Sequence, residues 1–89
     1  MLTPIEQPII ILVRPQMAEN VGAVARAMLN CGLTQLRLVE PREDWRSDKA
    51  VAMASGAGAV LEAATAYPDL RKAIADLQHV YAATARRRE

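Results

Sequence analysis

The sequence predicts an α/β fold with a mostly parallel sheet and flanking helices. Short apolar runs of strand length alternate with segments whose apolar residues recur at helical spacing. The first run, residues 9–13, is apolar at every position, as in strands that are buried on both faces of a parallel sheet. Prolines and glycines separate the segments. The expected order is β-α-β-α-β-α-β, with right-handed crossovers.

The first half of the chain contains a strand, a helix and a second strand. The first strand covers residues 9–13 and ends before Pro15. In the following helix, Asn20 is the predicted N-cap, and Gly32 is the glycine expected just past the last turn. The second strand covers residues 36–39. This part therefore predicts one complete β-α-β unit.

The second half predicts shorter elements. A helix over residues 48–53, capped by Asp48, ends at the glycine-containing break of residues 55–58. Residues 60–61 are the predicted short third strand. A helix with Pro68 in its first turn follows, and residues 79–83 predict the last strand.

Composition excludes several classes of protein. The chain has 89 residues, which suffices for one domain, and its 52% hydrophobic content excludes a disordered segment. No apolar run approaches the roughly 20 residues of a membrane span, and the first residues do not form a signal peptide. Cys31 has no second cysteine to pair with, which favours a cytoplasmic location. Cys31 and His79 alone do not make a structural zinc site, so no metal is expected.

The charge balance does not by itself indicate a nucleic-acid partner. Eleven basic residues almost cancel ten acidic ones, and the net charge is +1. Three consecutive arginines at residues 86–88 are the densest basic stretch. Scattered surface arginines and a solvated tail are the simplest interpretation, and phosphate binding by guanidinium groups is the alternative.

The junction between the first strand and its helix is the most informative stretch. Ligands of open α/β sheets bind beyond the carboxyl ends of the strands. An anion there would meet the free N–H groups of the helix start, the amide of Asn20 and the guanidinium of Arg26, with close approach allowed at Gly22. The alternative gives all three residues structural roles: a cap, a close helix contact and a surface arginine. The junction lacks the glycine patterns of a Walker A loop or a dinucleotide fingerprint.

Four blocks of the sequence resemble a known family. Residues 20–28, N-V-G-A-V-A-R-A-M, resemble motif 1 of the SpoU (TrmH-type) RNA ribose methyltransferases of the SPOUT superfamily. Residues 32–41, 52–57 and 80–89 resemble three further blocks of these enzymes, in the same order and spacing. The resemblance extends over residues 9–89 and is closest to the TrmJ-like tRNA (cytidine/uridine-2′-O)-methyltransferases.

The resemblance implies methyl transfer from S-adenosylmethionine to a ribose 2′-hydroxyl, with tRNA favoured as the substrate and rRNA possible. It implies that Asn20 and Arg26 belong to the catalytic site. The resemblance also implies a role for Arg26 as the base. Because a guanidinium essentially never loses its proton in proteins, we expect Arg26 to orient the substrate and neutralise a phosphate, and a base role would require help from the RNA phosphate. The resemblance also implies that Arg86 and Arg88 contact the RNA. Arg14 and Gly22, at the same junction as Asn20, are further candidate RNA-binding residues.

The resemblance also implies what the chain lacks. In this family the cofactor is held by a C-terminal trefoil knot, and the sequence blocks that form the knot are absent from residues 1–89. We therefore expect one N-terminal part of a single methyltransferase domain, with no cofactor bound by this segment alone and a homodimer for the intact protein. Two alternatives stay open: a non-catalytic RNA-binding or scaffold module, and a small α/β domain that binds a phosphorylated ligand.

Overall fold

A computed structural model describes residues 8–77 of the chain. These residues form three strands and four helices. The strands are β1 (Ile10–Val13), β2 (Leu36–Val39) and β3 (Thr65–Tyr67). The helices are α1 (Ala18–Asn30), α2 (Asp48–Ala54), α3 (Gly58–Ala63) and α4 (Leu70–Ile74). The predicted α/β class is confirmed.

The three strands form a parallel sheet in the order β1-β2-β3. Ile10 is paired with Leu36, and Arg37 with Thr65. Because all three strands run the same way, their carboxyl ends meet at one edge of the sheet, which we call the carboxyl edge. The loops that leave β1 and β2 for the next helices both start at this edge.

The core lies between one face of the sheet and helices α1, α2 and α3. Leu36 and Leu38 supply the strand side of this core. Residues one helical turn apart supply the helix side: Ala18, Val21, Ala25, Met28, Ala50, Ala54, Ala57, Val60 and Leu61. Since successive residues of a strand face opposite ways, Arg37 points to the other face, where its guanidinium reaches α4.

The C-terminal end of α1 agrees with the prediction, and its N-terminal end does not. Gly32 has a φ of 76° and follows the helix as predicted. The N–H groups of Gly32 and Leu33 donate to the carbonyls of Leu29 and Met28, so the helix ends in a Schellman motif. The predicted start at Asn20 is wrong: the helix begins at Ala18, and Met17 is the N-cap position.

The predicted third strand at residues 60–61 is also wrong, because these residues lie in α3 and the strand follows at Thr65–Tyr67. Val60 and Leu61 share helical spacing with Ala57 and Ala64, and all four are buried. The pattern was therefore an amphipathic helix, and the β-branched and aromatic residues after it form the strand.

The starts of α2 and α4 also differ from expectation. Ser47, and not Asp48, caps α2 by accepting a hydrogen bond from the Ala50 N–H. Pro68 is not in the first turn of α4 but precedes its cap, Asp69, which accepts from the Lys72 N–H at 2.8 Å. The predicted last strand, residues 79–83, lies outside the described residues. Among the helices of residues 8–77, none is long and apolar enough to cross a membrane.

Candidate functional site

The carboxyl edge carries an exposed ion pair between two neighbouring strands. Arg14 follows β1 and Glu40 follows β2, and both have a left-handed backbone, with φ values of 51° and 47°. Such a conformation costs about 1 kcal/mol or more for a residue with a side chain. The Arg14 Nε donates to the Glu40 Oε1 at 3.3 Å, and the two side chains are 73% and 52% exposed. Arg14 thus lies where the sequence placed it, at the end of the first strand.

The loop after β2 reaches across the edge to the start of α1. The Ala18 N–H donates to the Glu43 Oε1 at 2.8 Å. The Arg42 N–H donates to the Pro15 carbonyl at 3.1 Å, and the Arg42 Nη1 donates to the Gln16 Oε1, also at 3.1 Å. The loop before α1 and the loop after β2 are therefore joined by backbone and side-chain hydrogen bonds.

This arrangement corrects the predicted anion site at the helix start. The Ala18 N–H is already bonded to a carboxylate, and the N–H groups of Asn20 and Val21 donate to the Met17 carbonyl. The Glu43 carboxylate thus occupies the position that a phosphate would need at the end of this helix. Within residues 8–77, this geometry argues against the alternative of a small phosphate-binding domain built on the α1 N-terminus.

Asn20 and Arg26 both project from the solvent-exposed side of α1. At 1.5 Å and 100° per residue, they are separated by about 9 Å along the helix axis and about 120° around it. The opposite side of the helix is anchored in the core by Val21, Ala25 and Met28. The helix therefore presents the two predicted catalytic residues as separate contact points on one exposed surface.

Gly22 has a packing role that the structure makes explicit. It is buried, and a Cβ added there would overlap the Ala50 carbonyl oxygen and lie 3.0 Å from the Met53 Cβ. The glycine lets α2 cross closely over α1. Because α2 covers Gly22, the predicted RNA contact at this residue has no open surface in the described part of the chain.

On the other face of the sheet, Arg37 joins β2 to α4. Its Nη1 donates to the Ala73 carbonyl at 2.6 Å and to the Asp76 Oδ1 at 2.7 Å, and its Nη2 donates to the Asp76 Oδ2 at 2.9 Å. The guanidinium also lies 5.7 Å from the centre of the Tyr67 ring. We call Arg37, Tyr67, Ala73 and Asp76 the α4 clasp.

The hydrogen bonds of the α4 clasp shift the pKa values of both partners. The side-chain hydrogen bond from Arg37 holds the pKa of Asp76 below its usual value, and the same bond raises the pKa of Arg37. Both groups are thereby favoured in their charged forms. No local pattern in the sequence indicates this pair, since its members are 39 positions apart along the chain.

A tryptophan among arginines can stack on an RNA base or cover a loop, and the surroundings of Trp45 in the structure favour the cover. Its Nε1 donates to the Leu61 carbonyl at 3.2 Å, and its ring packs against the core. The Arg46 guanidinium lies 5.1 Å from the centre of the ring, and its Nη2 donates to the Glu62 carbonyl at 3.0 Å. Both side chains thus hold the carboxyl end of α3.

Other predicted residues lie beyond the described part of the chain, namely His79, Arg86 and Arg88. Conversely, Glu40 and Glu43 were not predicted as site residues, although their carboxylates bond to Arg14 and Ala18 at the carboxyl edge. A signal for Glu40 was present, since it follows β2 as Arg14 follows β1. Residues 8–77 contain no cluster of histidine, cysteine and acidic side chains suited to a metal ion.

Comparison with known proteins places this arrangement in a family. Residues 7–89 match the SpoU rRNA methylase family. The tRNA (cytidine/uridine/adenosine-2′-O-)-methyltransferase TrmJ of Pseudomonas aeruginosa is 42% identical over 79 residues, which cover 89% of this chain and 30% of that protein. LasT of Escherichia coli K12, named as an uncharacterized tRNA/rRNA methyltransferase, is 38% identical over 85 residues, with 89% of this chain and 34% of LasT covered.

A solved structure agrees with these relatives. The crystal structure of TrmJ from Zymomonas mobilis ZM4 has a TM-score of 0.83 and 55% sequence identity, and the match covers 92% of this chain and 37% of that one. The chain thus spans about a third of the length of the curated relatives it matches. The expected similarity to TrmJ enzymes is confirmed, and the chain belongs to the SpoU rRNA methylase family.

Proposed function

We propose that this chain is the N-terminal part of an RNA methyltransferase domain that transfers a methyl group from S-adenosylmethionine to a ribose 2′-hydroxyl. tRNA is the proposed substrate, because the TrmJ relatives carry tRNA (cytidine/uridine-2′-O-) or closely similar names. rRNA is the second possibility, since LasT is named for both RNAs. Residues 1–89 contribute the surface that positions the RNA.

The observation that carries the proposal is the exposure of Asn20 and Arg26 on a helix that is otherwise well anchored. α1 is fixed by its core residues, by Gly22 beneath α2 and by the loop after β2. A rigid helix with two exposed polar side chains provides fixed contact points for a flexible polymer such as RNA. Both residues belong to the block that resembles the substrate motif of the family.

The reaction requires orientation more than acid–base chemistry from these residues. A ribose hydroxyl attacks a methyl group only when it is held in line at near-attack distance. The Asn20 amide both donates and accepts hydrogen bonds, which suits it to a hydroxyl. The Arg26 guanidinium stays protonated and therefore serves to hold a neighbouring phosphate and offset its charge, not to remove the proton.

Arg14 is proposed as an additional phosphate contact. Its side chain is 73% exposed and makes one hydrogen bond of 3.3 Å to a carboxylate that is itself half exposed. An exposed pair of this kind contributes little to stability, so a phosphate can compete for the guanidinium at small cost. Arg86 and Arg88 keep the same proposed role, as predicted from the sequence.

The described residues do not by themselves fit the cofactor. An open pocket of about 190 Å³ lies at the amino ends of β2 and β3 and is lined by Thr34, Gln35, Leu36, Arg37, Ala63, Thr65 and Tyr67. Sites for drug-sized ligands usually occupy roughly 300–1,000 Å³. The guanidinium in its wall is already bonded within the α4 clasp. When bound, S-adenosylmethionine supplies the methyl group, and we assign no residue of this segment to holding it.

The test uses the longer protein of which we propose this chain is a segment. Incubated with tRNA and labelled S-adenosylmethionine, it should yield a 2′-O-methylated nucleoside, detected by mass spectrometry after digestion. RNA binding without any methylated nucleoside would favour the non-catalytic module instead. Calorimetry of residues 1–89 with S-adenosylmethionine should show no binding, and stoichiometric binding would contradict the proposed division of the domain. A cytoplasmic location and a homodimer stay predictions.

A further inference from the structure

At the start of α1, the hydrogen-bond acceptor that caps the helix comes from another loop and not from the N-cap residue. Met17 occupies the N-cap position, and its side chain makes no capping hydrogen bond. Helices usually begin at a serine, threonine, aspartate or asparagine whose side chain accepts from the first N–H groups. Here the acceptor is the Glu43 carboxylate, 25 residues farther along the chain. The first turn of α1 is therefore fixed by a residue of the loop after β2.

The position of this carboxylate is unfavourable for the proposed RNA substrate. Glu43 is exposed and lies at the edge that is proposed to receive phosphates. A negative charge there repels RNA, and its removal favours association. Two favourable interactions compensate for this repulsion: the hydrogen bond from the Ala18 N–H, and the interaction of the carboxylate with the helix dipole.

Adjacent contacts show what this bond holds. Arg42, the neighbour of Glu43, bonds to the Pro15 carbonyl and to Gln16, so the loop before α1 is fixed at two further points. Asn20 lies in the same first turn as Ala18. A change in the Glu43 contact thus acts directly on the turn that carries Asn20.

We propose that Glu43 is a positioning residue, which sets the first turn of α1 and so the placement of Asn20 toward the ribose, at the expense of RNA affinity. This inference rests on the proposed function. Substitution of a purely structural residue would change RNA affinity and the rate of methyl transfer together. In contrast, loss of the Glu43 carboxylate tightens RNA binding and slows methyl transfer.

The experiment compares three variants of the longer protein in tRNA affinity at fixed salt and in kcat for methyl transfer. Glu43→Ala removes both the charge and the acceptor, and we expect tRNA to bind about twofold or more tighter while kcat falls roughly tenfold. Glu43→Gln removes the charge and keeps an acceptor oxygen, so we expect the same gain in affinity with kcat within about threefold of wild type. Asp44→Asn is the matched control.

Asp44 is the next carboxylate in the same loop, and its Oδ1 accepts from the Arg46 N–H, not from α1. We expect Asp44→Asn to keep the wild-type kcat. An active wild-type protein whose kcat is unchanged by Glu43→Ala would overturn the role of Glu43 alone. A wild-type protein that methylates no RNA would overturn the proposed function, and the role of Glu43 with it. If Glu43→Ala does not fold, a Glu43→Gln protein with unchanged tRNA affinity overturns the proposal.

Discussion

Arg14, just after β1, and Arg37, within β2, both form ion pairs, yet they have different roles. Arg14 at the carboxyl edge makes one bond of 3.3 Å and is 73% exposed. Arg37 in the α4 clasp makes three bonds of 2.6 to 2.9 Å, and its side chain is 15% exposed. A guanidinium that makes several short hydrogen bonds stabilises the fold, whereas one held by a single exposed bond remains available to a phosphate.

The arginines on the two sides of the sheet differ in the same way, in how far they are bonded within the chain. On the side of α4, the guanidinium is used within the chain, and the Ala73 carbonyl near the end of the helix is satisfied by it. At the carboxyl edge and on the outer side of α1, Arg14 and Arg26 project into solvent. We therefore propose that RNA binds at the carboxyl edge and α1, and that the α4 clasp has a structural role.

Among these variants, Arg26→Ala in the longer protein should have the largest effect, a loss of methyl transfer. Loss of one well-placed donor to a charged group in the transition state reduces kcat by roughly 100-fold or more. Binding of S-adenosylmethionine should change little. Arg71→Ala, which removes an exposed arginine from α4, is the control and should retain activity. Equal turnover in the two variants would remove Arg26 from the mechanism.

A second prediction concerns the packing that holds α1 in place. Gly22→Val should destabilise the fold by about 3 kcal/mol, since the added side chain overlaps the Ala50 carbonyl oxygen. Gly58→Ala is the control, because nothing lies within 4 Å of its added Cβ, and it should leave stability unchanged or raise it by about 0.5 kcal/mol. Urea denaturation measures both. Equal unfolding midpoints would show that α2 does not press on Gly22.

Breaking the α4 clasp should have a smaller effect on stability and none on RNA affinity. Arg37→Ala leaves the Ala73 carbonyl without this donor, which costs about 1–2 kcal/mol. The acid behaviour of the clasp follows from Asp76, whose pKa is lower in the folded chain than in the unfolded chain. Its contribution is present above the unfolded pKa of about 4 and is lost as the pH falls through the lower folded value.

The corresponding measurement is the unfolding midpoint of wild type and Arg37→Ala between pH 5 and pH 2. The difference between the two proteins should shrink as the pH falls, because protonation of Asp76 removes the ion pair from wild type. A difference that stays constant over this range would show that Asp76 takes no part in the clasp.

The smallest effect on stability is expected from Arg14→Ala, within about 0.5 kcal/mol, because its ion pair is exposed. In tRNA binding, the same variant should weaken affinity several-fold and reduce the salt dependence by about one counterion. Filter binding at several salt concentrations measures the slope. An unchanged salt dependence of tRNA affinity would show that Arg14 does not contact RNA and has, like Arg37, a structural role only.

The sequence predicts the elements whose signals are local. The apolar run of β1, the spacing in α1 and Gly32 after its last turn all depend on neighbouring residues, and the structure agrees with them. The error at residues 60–61 arose because two apolar residues fit either a strand or a helix. Helical spacing over residues 57–64 was the longer-range signal that distinguishes them.

The site was predictable in part for the same reason. Arg14, Asn20 and Arg26 lie on or beside one element, and Asn20 and Arg26 belong to the block that resembles a family motif. Glu43 acts on α1 from 25 residues away, and Arg37 reaches Asp76 over 39 residues, so both contacts depend on how the loops and helices pack. Gly22 shows a further limit, since the sequence permits both a packing role and a ligand role and the position of α2 decides between them.

The measurement that tests the assignment of RNA binding most directly is an NMR titration of the longer protein with tRNA, observed at the arginine Nε–H signals. We predict that the signals of Arg14 and Arg26 shift on addition of tRNA, while those of Arg37 and Arg71 do not. Shifts at Arg37 and Arg71 with none at Arg26 would place the RNA on the side of α4 and contradict the account.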